Sequence, residues 1–206
     1  MELFSRLRRV TGERILKRRT ARSGRKRGFV NLDSIRSLCL IWDAEQSSDL
    51  SSVTRFLKEM SDSGREAHLA IVCTGKRVPD SVTALRSILF VKREDLNLFY
   101  IPKGQDVALF ISRRYDLLVD VSFRDLLPLR YLFAVSDATL KVAPVIDRGG
   151  IDYNLADLMI ETGGKKDTKL FLNEMVRYLK MINAPAADRE GGRSDGKIVS
   201  ENSDIK

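Results

Sequence analysis

Apolar and polar positions along the chain change period several times, and each change marks a boundary between elements. Leu117, Leu118, Val119 and Val121 form a near-continuous apolar run broken only by Asp120, the pattern of a strand covered on both faces in a parallel sheet. Phe123 to Asp125 turn the chain. Leu126, Leu129, Arg130 and Phe133 then mark a helix with Pro128 in its first turn, and Leu140, Val142 and Val145 form the next short strand. Tyr115 to Pro144 therefore predicts a complete strand, helix and strand unit, around which the other segments can be placed.

Upstream, Ser37 to Asp43 (SLCLIWD) reads as a first buried strand, followed by a Ser- and Asp-rich turn suited to capping a helix. Val53, Phe56, Leu57 and Met60 give that helix its apolar face, and Gly64 ends it. His68 to Thr74 is the second strand and Ile88 to Val91 a third. Asp95 to Tyr100 reads as either a short strand or a loop, and Asp106 to Ser112 as a short helix. Downstream, Leu155 to Ile160 predicts a last short strand. Leu170, Phe171, Met175, Val176, Leu179 and Ile182 place a helix over Asp167 to Asn183. From Ala184 onward apolar residues almost vanish, the composition of a disordered tail.

At the start, Leu3, Phe4, Leu7, Val10, Ile15 and Leu16 recur at helical spacing, with Gly12 weakening the middle. Arg6, Arg8, Arg9, Arg14, Lys17, Arg18 and Arg19 fill the other sides. The following TARSGRKRG lacks apolar periodicity and reads as a flexible basic linker carrying Arg25, Lys26 and Arg27. The charge count sharpens this picture. Residues 1–30 hold eleven Lys/Arg and two Asp/Glu, a balance of +9, whereas the whole chain is +8. A near-neutral domain thus carries a basic arm, and any argument about anionic partners belongs to the arm. RNA or DNA, an anionic membrane surface and an organelle-targeting role all fit it, although Glu2 and Glu13 count against the last; so does a helix docked on its own domain with a solvated basic face.

The 206 residues suit one domain with a tail, and 43% hydrophobic content suffices for a core. No apolar run reaches the length of a membrane-spanning helix, and charges interrupt every apolar stretch before Gly28. Cys39 and Cys73 sit inside apolar runs, as buried free thiols do in a reducing compartment, so a cytoplasmic protein, peripheral to the membrane if the arm binds lipid, is expected. With His68 as the single histidine, a Cys/His zinc site has too few ligands, and no metal or cofactor is expected.

Alternating strands and helices imply a mostly parallel sheet with right-handed crossovers, whose ligands bind beyond the carboxyl ends of the strands. The residues nominated there are Asp43, Glu45 and Ser47 after the first strand, Thr74, Lys76 and Arg77 after the second, and Ser122, Arg124 and Asp125 after the central one, with Asn154 and Asp157 as weaker additions. Neither G-x-G-x-x-G nor G-x-x-x-x-G-K-[ST] occurs, which disfavours dinucleotide and P-loop enzymes; a nucleophile elbow is missing too. Asp43, Asp120 and Lys141 invite comparison with a phospho-acceptor receiver, without the paired acids at the first strand. Asp120 is expected to bond a loop amide or pair with Arg124.

The segments YDLLVDVS, LPLRYL and ATLKV, with NLDSIRSLCLIWDA, YNLADLMI and MVRYLKMIN, resemble an uncharacterised protein family of the Bacteroidota over most of residues 1 to 183. That resemblance implies a bacterial protein and assigns no activity. The strand, helix and strand unit is also similar to one from heptosyltransferase-like glycosyltransferases, which have two Rossmann-like domains where this chain has length for one. The expectation is a single three-layer Rossmann-like α/β domain (31–183) with a mostly parallel sheet, preceded by a basic amphipathic arm and linker (1–30) and followed by the tail (184–206). Functionally the expectation is a non-catalytic binding module whose arm engages RNA or the ribosome; the alternatives are a glycosyltransferase-like domain holding a nucleotide or sugar phosphate in the strand-end crevice, and attachment of the arm to an anionic membrane surface.

Overall fold

The computed structural model describes residues 2–21, 24–46, 49–75, 78, 80–83, 85–146 and 155–182. The expected tail therefore lies outside the described residues, as do Ser47, Lys76, Arg77 and Asn154.

Six strands, β1 (Ser37–Asp43), β2 (Glu66–Cys73), β3 (Leu89–Lys92), β4 (Arg114–Asp120), β5 (Asp137–Pro144) and β6 (Leu158–Ile160), form one sheet in the order β3-β2-β1-β4-β5-β6. Every neighbouring pair is parallel. The order reverses between β1 and β4, the doubly wound arrangement of a Rossmann-like domain. Within β1 the side chains alternate between two cores. Leu38, Leu40 and Trp42 join the helices α2 (Leu50–Asp62) and α6 (Thr168–Met181) on one face. Cys39 and Ile41 join α4 (Gln105–Ser112) and α5 (Leu127–Val135) on the other. The two thiols consequently sit on opposite faces, Cys39 on the α5 side and Cys73 on the α2 side, and they form no disulfide. A short helix, α3 (Asp80–Thr83), precedes β3.

Why α5 reads as LPLRYLFAV becomes clear from its position. Residues 127–134 are all buried, because the sheet lies on one side of the helix and a further helix, α1 (Glu2–Ala21), lies on the other. A helix that is apolar all round has to be enclosed in this way. The architecture thus adds an outer helix to the three layers expected. Leu16 of α1 packs with Ile101, Leu127, Tyr131 and Ala134. At Gly12 the helix comes closest: a β-carbon there would fall inside contact distance of the Phe99 carbonyl oxygen and 2.6 Å from Leu127 Cδ2. The residue that weakens α1 as an isolated helix is the one that lets it dock.

Charges inside the interface complete the docking. Arg130 of α5, 3% exposed, pairs with Glu13 of α1 and, through Nε, with Asp125 at 2.7 Å. From Gly24 onward the chain is not a free linker, in contrast to the reading of TARSGRKRG, of which Arg22 and Ser23 lie outside the described residues. The Arg25 guanidinium donates to both carboxylate oxygens of Asp157 (2.6 and 2.7 Å) and to the Ala138 carbonyl (2.9 Å), and the Gly28 amide donates to the Thr139 carbonyl (3.0 Å). Asp157 in turn accepts from the Lys141 amide at 2.9 Å. This clamp lays the segment along β5 and carries the chain to the opposite face. There Leu32 and Ile35 enter the α2/α6 core, and the Asn31 amide group caps the end of α6 through the Ile182 carbonyl (2.9 Å).

Candidate ligand sites at the strand ends

The reversal between β1 and β4 brings the β1–α2, β2–α3 and β4–α5 turns together, as the topology requires. Asp43, fully buried at the end of β1, accepts from the Glu45 amide (3.0 Å) and from Arg124 Nη1 (2.9 Å). The same Arg124 nitrogen donates to Glu45 Oε2 at 2.6 Å, and Glu45 Oε1 accepts from the Thr74 hydroxyl at 2.9 Å. Four nominated residues from three turns therefore form one network. Burial pushes the Asp43 carboxyl above its usual range despite the Glu45 amide and Arg124. Glu45 goes the other way: burial pushes it up, but hydrogen bonds from Arg124 and Thr74 outweigh that and hold it below the usual range.

Gln46 stitches this cluster to its surroundings. Its carbonyl accepts from the Phe123 amide (3.1 Å), and its amide group donates to Asp49 (3.3 Å), which also accepts from the Thr168 hydroxyl (2.7 Å) at the start of α6. Chemically, one guanidinium serves two carboxylates here, so among the described residues the cluster offers no surplus positive charge to a phosphate. It holds three turns in register.

The other nominated residues separate from it. Ser122 is buried with Asp120, to whose Oδ1 it donates from its amide (2.9 Å) and its hydroxyl (2.7 Å), so Asp120 does bond a loop amide as expected. Asp125 turns toward α1, accepting from Arg9 at 3.2 Å and pairing with Arg130. Lys141 is remote from any receiver-like site. Its ammonium, 1% exposed, donates to the Phe133 (2.6 Å) and Ala134 (2.8 Å) carbonyls at the end of α5, where burial and the nearby Arg25 pull its pKa down to about 7.

A second feature lies between α1 and the strand ends, a cleft of about 490 Å³. Arg8 and Arg9 reach it from α1, Thr74 from the end of β2, and Asp125 from the β4–α5 turn; Arg93, Asn97 and Tyr100 line it from the segment after β3. That segment is a built turn. Asn97 Oδ1 accepts from the Phe99 (2.8 Å) and Ile101 (3.1 Å) amides, the Tyr100 amide donates to the Asn97 carbonyl (3.0 Å), and Tyr100 is held at φ 61°, in the left-handed region.

Over residues 8–182 the chain matches the model of a family of unknown function, DUF6913. The chain belongs to DUF6913. No curated protein and no solved structure matches it.

Sequence reasoning on this DUF6913 chain missed Arg93, Asn97 and Tyr100, because Asp95 to Tyr100 carries neither helical nor strand period. The one local signal was Asn97, a turn former in an apolar context. The nominated arm residues also divide. Arg9 and Arg25 are committed to Asp125 and Asp157, and Arg27 lies 3.8 Å from Asp157. Arg6, Arg8, Arg14, Lys17, Arg18, Arg19 and Lys26 are exposed. No helix among the described residues is long and apolar enough to cross a membrane.

Proposed function

We propose that this DUF6913 chain is a non-catalytic binding module that holds an RNA backbone on the outer surface of α1. The observation that carries the reading is the division of charge on that helix. Its inner face is neutralised and docked through Glu13, Arg9 and Leu16, whereas Arg6, Arg14, Lys17, Arg18 and Arg19 stand in solvent with no ion-pair partner among the described residues. The row runs from Arg6 to Arg19, along about 20 Å of the helix. Docking removes the entropy cost of ordering a free arm on its partner. The reading carries with it a cytoplasmic bacterial setting, in keeping with two buried cysteines outside any disulfide, where ribosomal RNA is within reach.

The test is fluorescence anisotropy with a ribosomal RNA oligonucleotide across a KCl series, using the full chain. Five phosphate contacts predict a log–log salt slope of about −3.5 for single-stranded RNA. The triple variant Arg14→Glu, Lys17→Glu, Arg18→Glu should abolish binding while leaving the fold intact, since none of the three touches the docked face. Binding that survives the charge reversal, or that ignores salt, defeats the reading. Removing the whole arm is a poor substitute, because it strips Arg130 of Glu13 and uncovers Leu127 and Tyr131.

One observation favours an anionic membrane instead: Phe4 and Leu7 are 69% and 62% exposed beside those same cations. The two readings part at Leu7→Gln, which abolishes sedimentation with anionic vesicles if the membrane is the partner and leaves RNA affinity nearly unchanged if RNA is.

A further inference from the structure

We propose that the cleft between α1 and the turn after β3 is a binding site for a phosphate monoester carried on a ring-sized group, such as a nucleoside or sugar phosphate. Its size, about 490 Å³, falls within the roughly 300–1,000 Å³ of small-molecule sites. Its charge suits an anion. Three arginines, Arg8, Arg9 and Arg93, face one carboxylate, Asp125, which leaves a surplus of two positive charges. Arg9 and Arg130 already hold that carboxylate. Arg8 and Arg93 have no ion-pair partner among the described residues, and they approach from two different elements, as the two arms of a phosphate clamp do.

The walls suit the remainder of such a ligand. Leu96, Leu98, Leu126 and Pro128 provide apolar surface, and Leu98, 69% exposed, rims it. Tyr100 adds a ring and a hydroxyl, set by the Asn97 turn rather than by a flexible loop. Phe99, next to Tyr100, supplies the carbonyl against which Gly12 packs, so docking of α1 and the shape of the cleft are one structural event. This is a different place from the Asp43–Arg124–Glu45 network, which among the described residues shares only Thr74 with the cleft wall and has no positive charge to spare.

The shared chemistry, a phosphate monoester on a sugar, could come from a free metabolite or from the 5′ end of an RNA. Calorimetric titration of the full chain with adenosine 5′-phosphate, ribose 5-phosphate and a 5′-phosphorylated oligoribonucleotide separates the sources; the matching 5′-hydroxyl oligonucleotide is the control. Binding of the small phosphates marks a metabolite site. Tighter binding of the phosphorylated oligonucleotide than of its control, without the small phosphates, marks an RNA end. In either case Arg93→Ala should weaken binding about tenfold or more, as the loss of a charge-assisted contact does. The α1 charge-reversal triple variant leaves small-phosphate binding within about twofold, since none of its three residues lines the cleft. Arg93→Ala in turn leaves internal RNA contacts unchanged, so failure of this site and failure of the α1 surface are told apart. No heat with any of the three ligands at ~5 mM, where a site of even millimolar Kd would be mostly filled, or affinity unchanged in Arg93→Ala, overturns the proposal.

Discussion

Replacing Gly12 by alanine tests whether α1 is part of the fold, because the docked and free states predict opposite signs. In a solvated helix, Gly→Ala is favourable by about 1 kcal/mol through backbone entropy. In the docked helix the new β-carbon meets the Phe99 carbonyl and stands 2.6 Å from Leu127 Cδ2, against the 3.4 Å at which ordinary contact begins, so relief takes 0.8 Å at Leu127 and more at the Phe99 carbonyl. Leu127 can rotate away, but the Phe99 carbonyl belongs to the turn that Asn97 holds and cannot. A gap of that order forfeits a quarter to a half of each contact's dispersion energy. Overpacking of this kind costs about 1–3 kcal/mol; against a backbone carbonyl that cannot yield, the upper part of that range, about 2–3 kcal/mol, applies, so after the propensity gain the net destabilisation is roughly 1–2 kcal/mol. If α1 lifts away entirely, exposure of Leu16 adds about 2 kcal/mol, and Arg130 loses Glu13. Urea unfolding followed by Trp42 fluorescence is the assay. With a slope of about 2 kcal/mol/M, the midpoint should fall by roughly 0.5–1 M. A midpoint that is unchanged or raised would refute the docked interface and restore the arm to solvent.

Two further outcomes follow from buried charge. Arg25→Ala strips Asp157, 9% exposed, of its bidentate partner and should cost about 3–5 kcal/mol in the same assay; Arg25→Lys should recover little of it, because a point charge cannot reproduce the fork. Loss of less than 1 kcal/mol would mean that the clamp on β5 is incidental. Lys141 sets a pH dependence whose sign can be worked out. Its ammonium titrates at about 7 in the folded chain against 10.5 for the unperturbed group, so between those values the unfolded chain holds a proton that the folded chain has released. Stability from this residue therefore rises with pH from about 7 to about 10, and the burial cost is fully present below 7. The wild-type minus Lys141→Met difference in urea midpoint at pH 6.5 and 9.5 cancels all other titrations. It should shift in favour of wild type at the higher pH, and an equal difference at both would remove the argument.

Local period and composition determined much of this protein without reference to its tertiary structure. Every strand and the five longer helices fall where period 2, buried apolar runs or period 3.6 place them, and the sequence alone located the basic surplus in the first thirty residues. These are properties of short windows, where burial repeats with the geometry of the element itself. What the sequence left open depends on which segments meet. Strand order, and with it the reversal that joins Asp43, Glu45, Thr74 and Arg124, is set by long-range pairing that no window contains. The same holds for Gly12, which reads as a defect in a helix and acts as a contact surface. Arg25 likewise reads as one more cation in a linker, until Asp157, far along the chain, makes it half of a buried pair. Apolar periodicity tells a segment which face to bury, whereas the partner that buries it, and the charge that must be matched there, are decided only when distant segments share one low-dielectric interior.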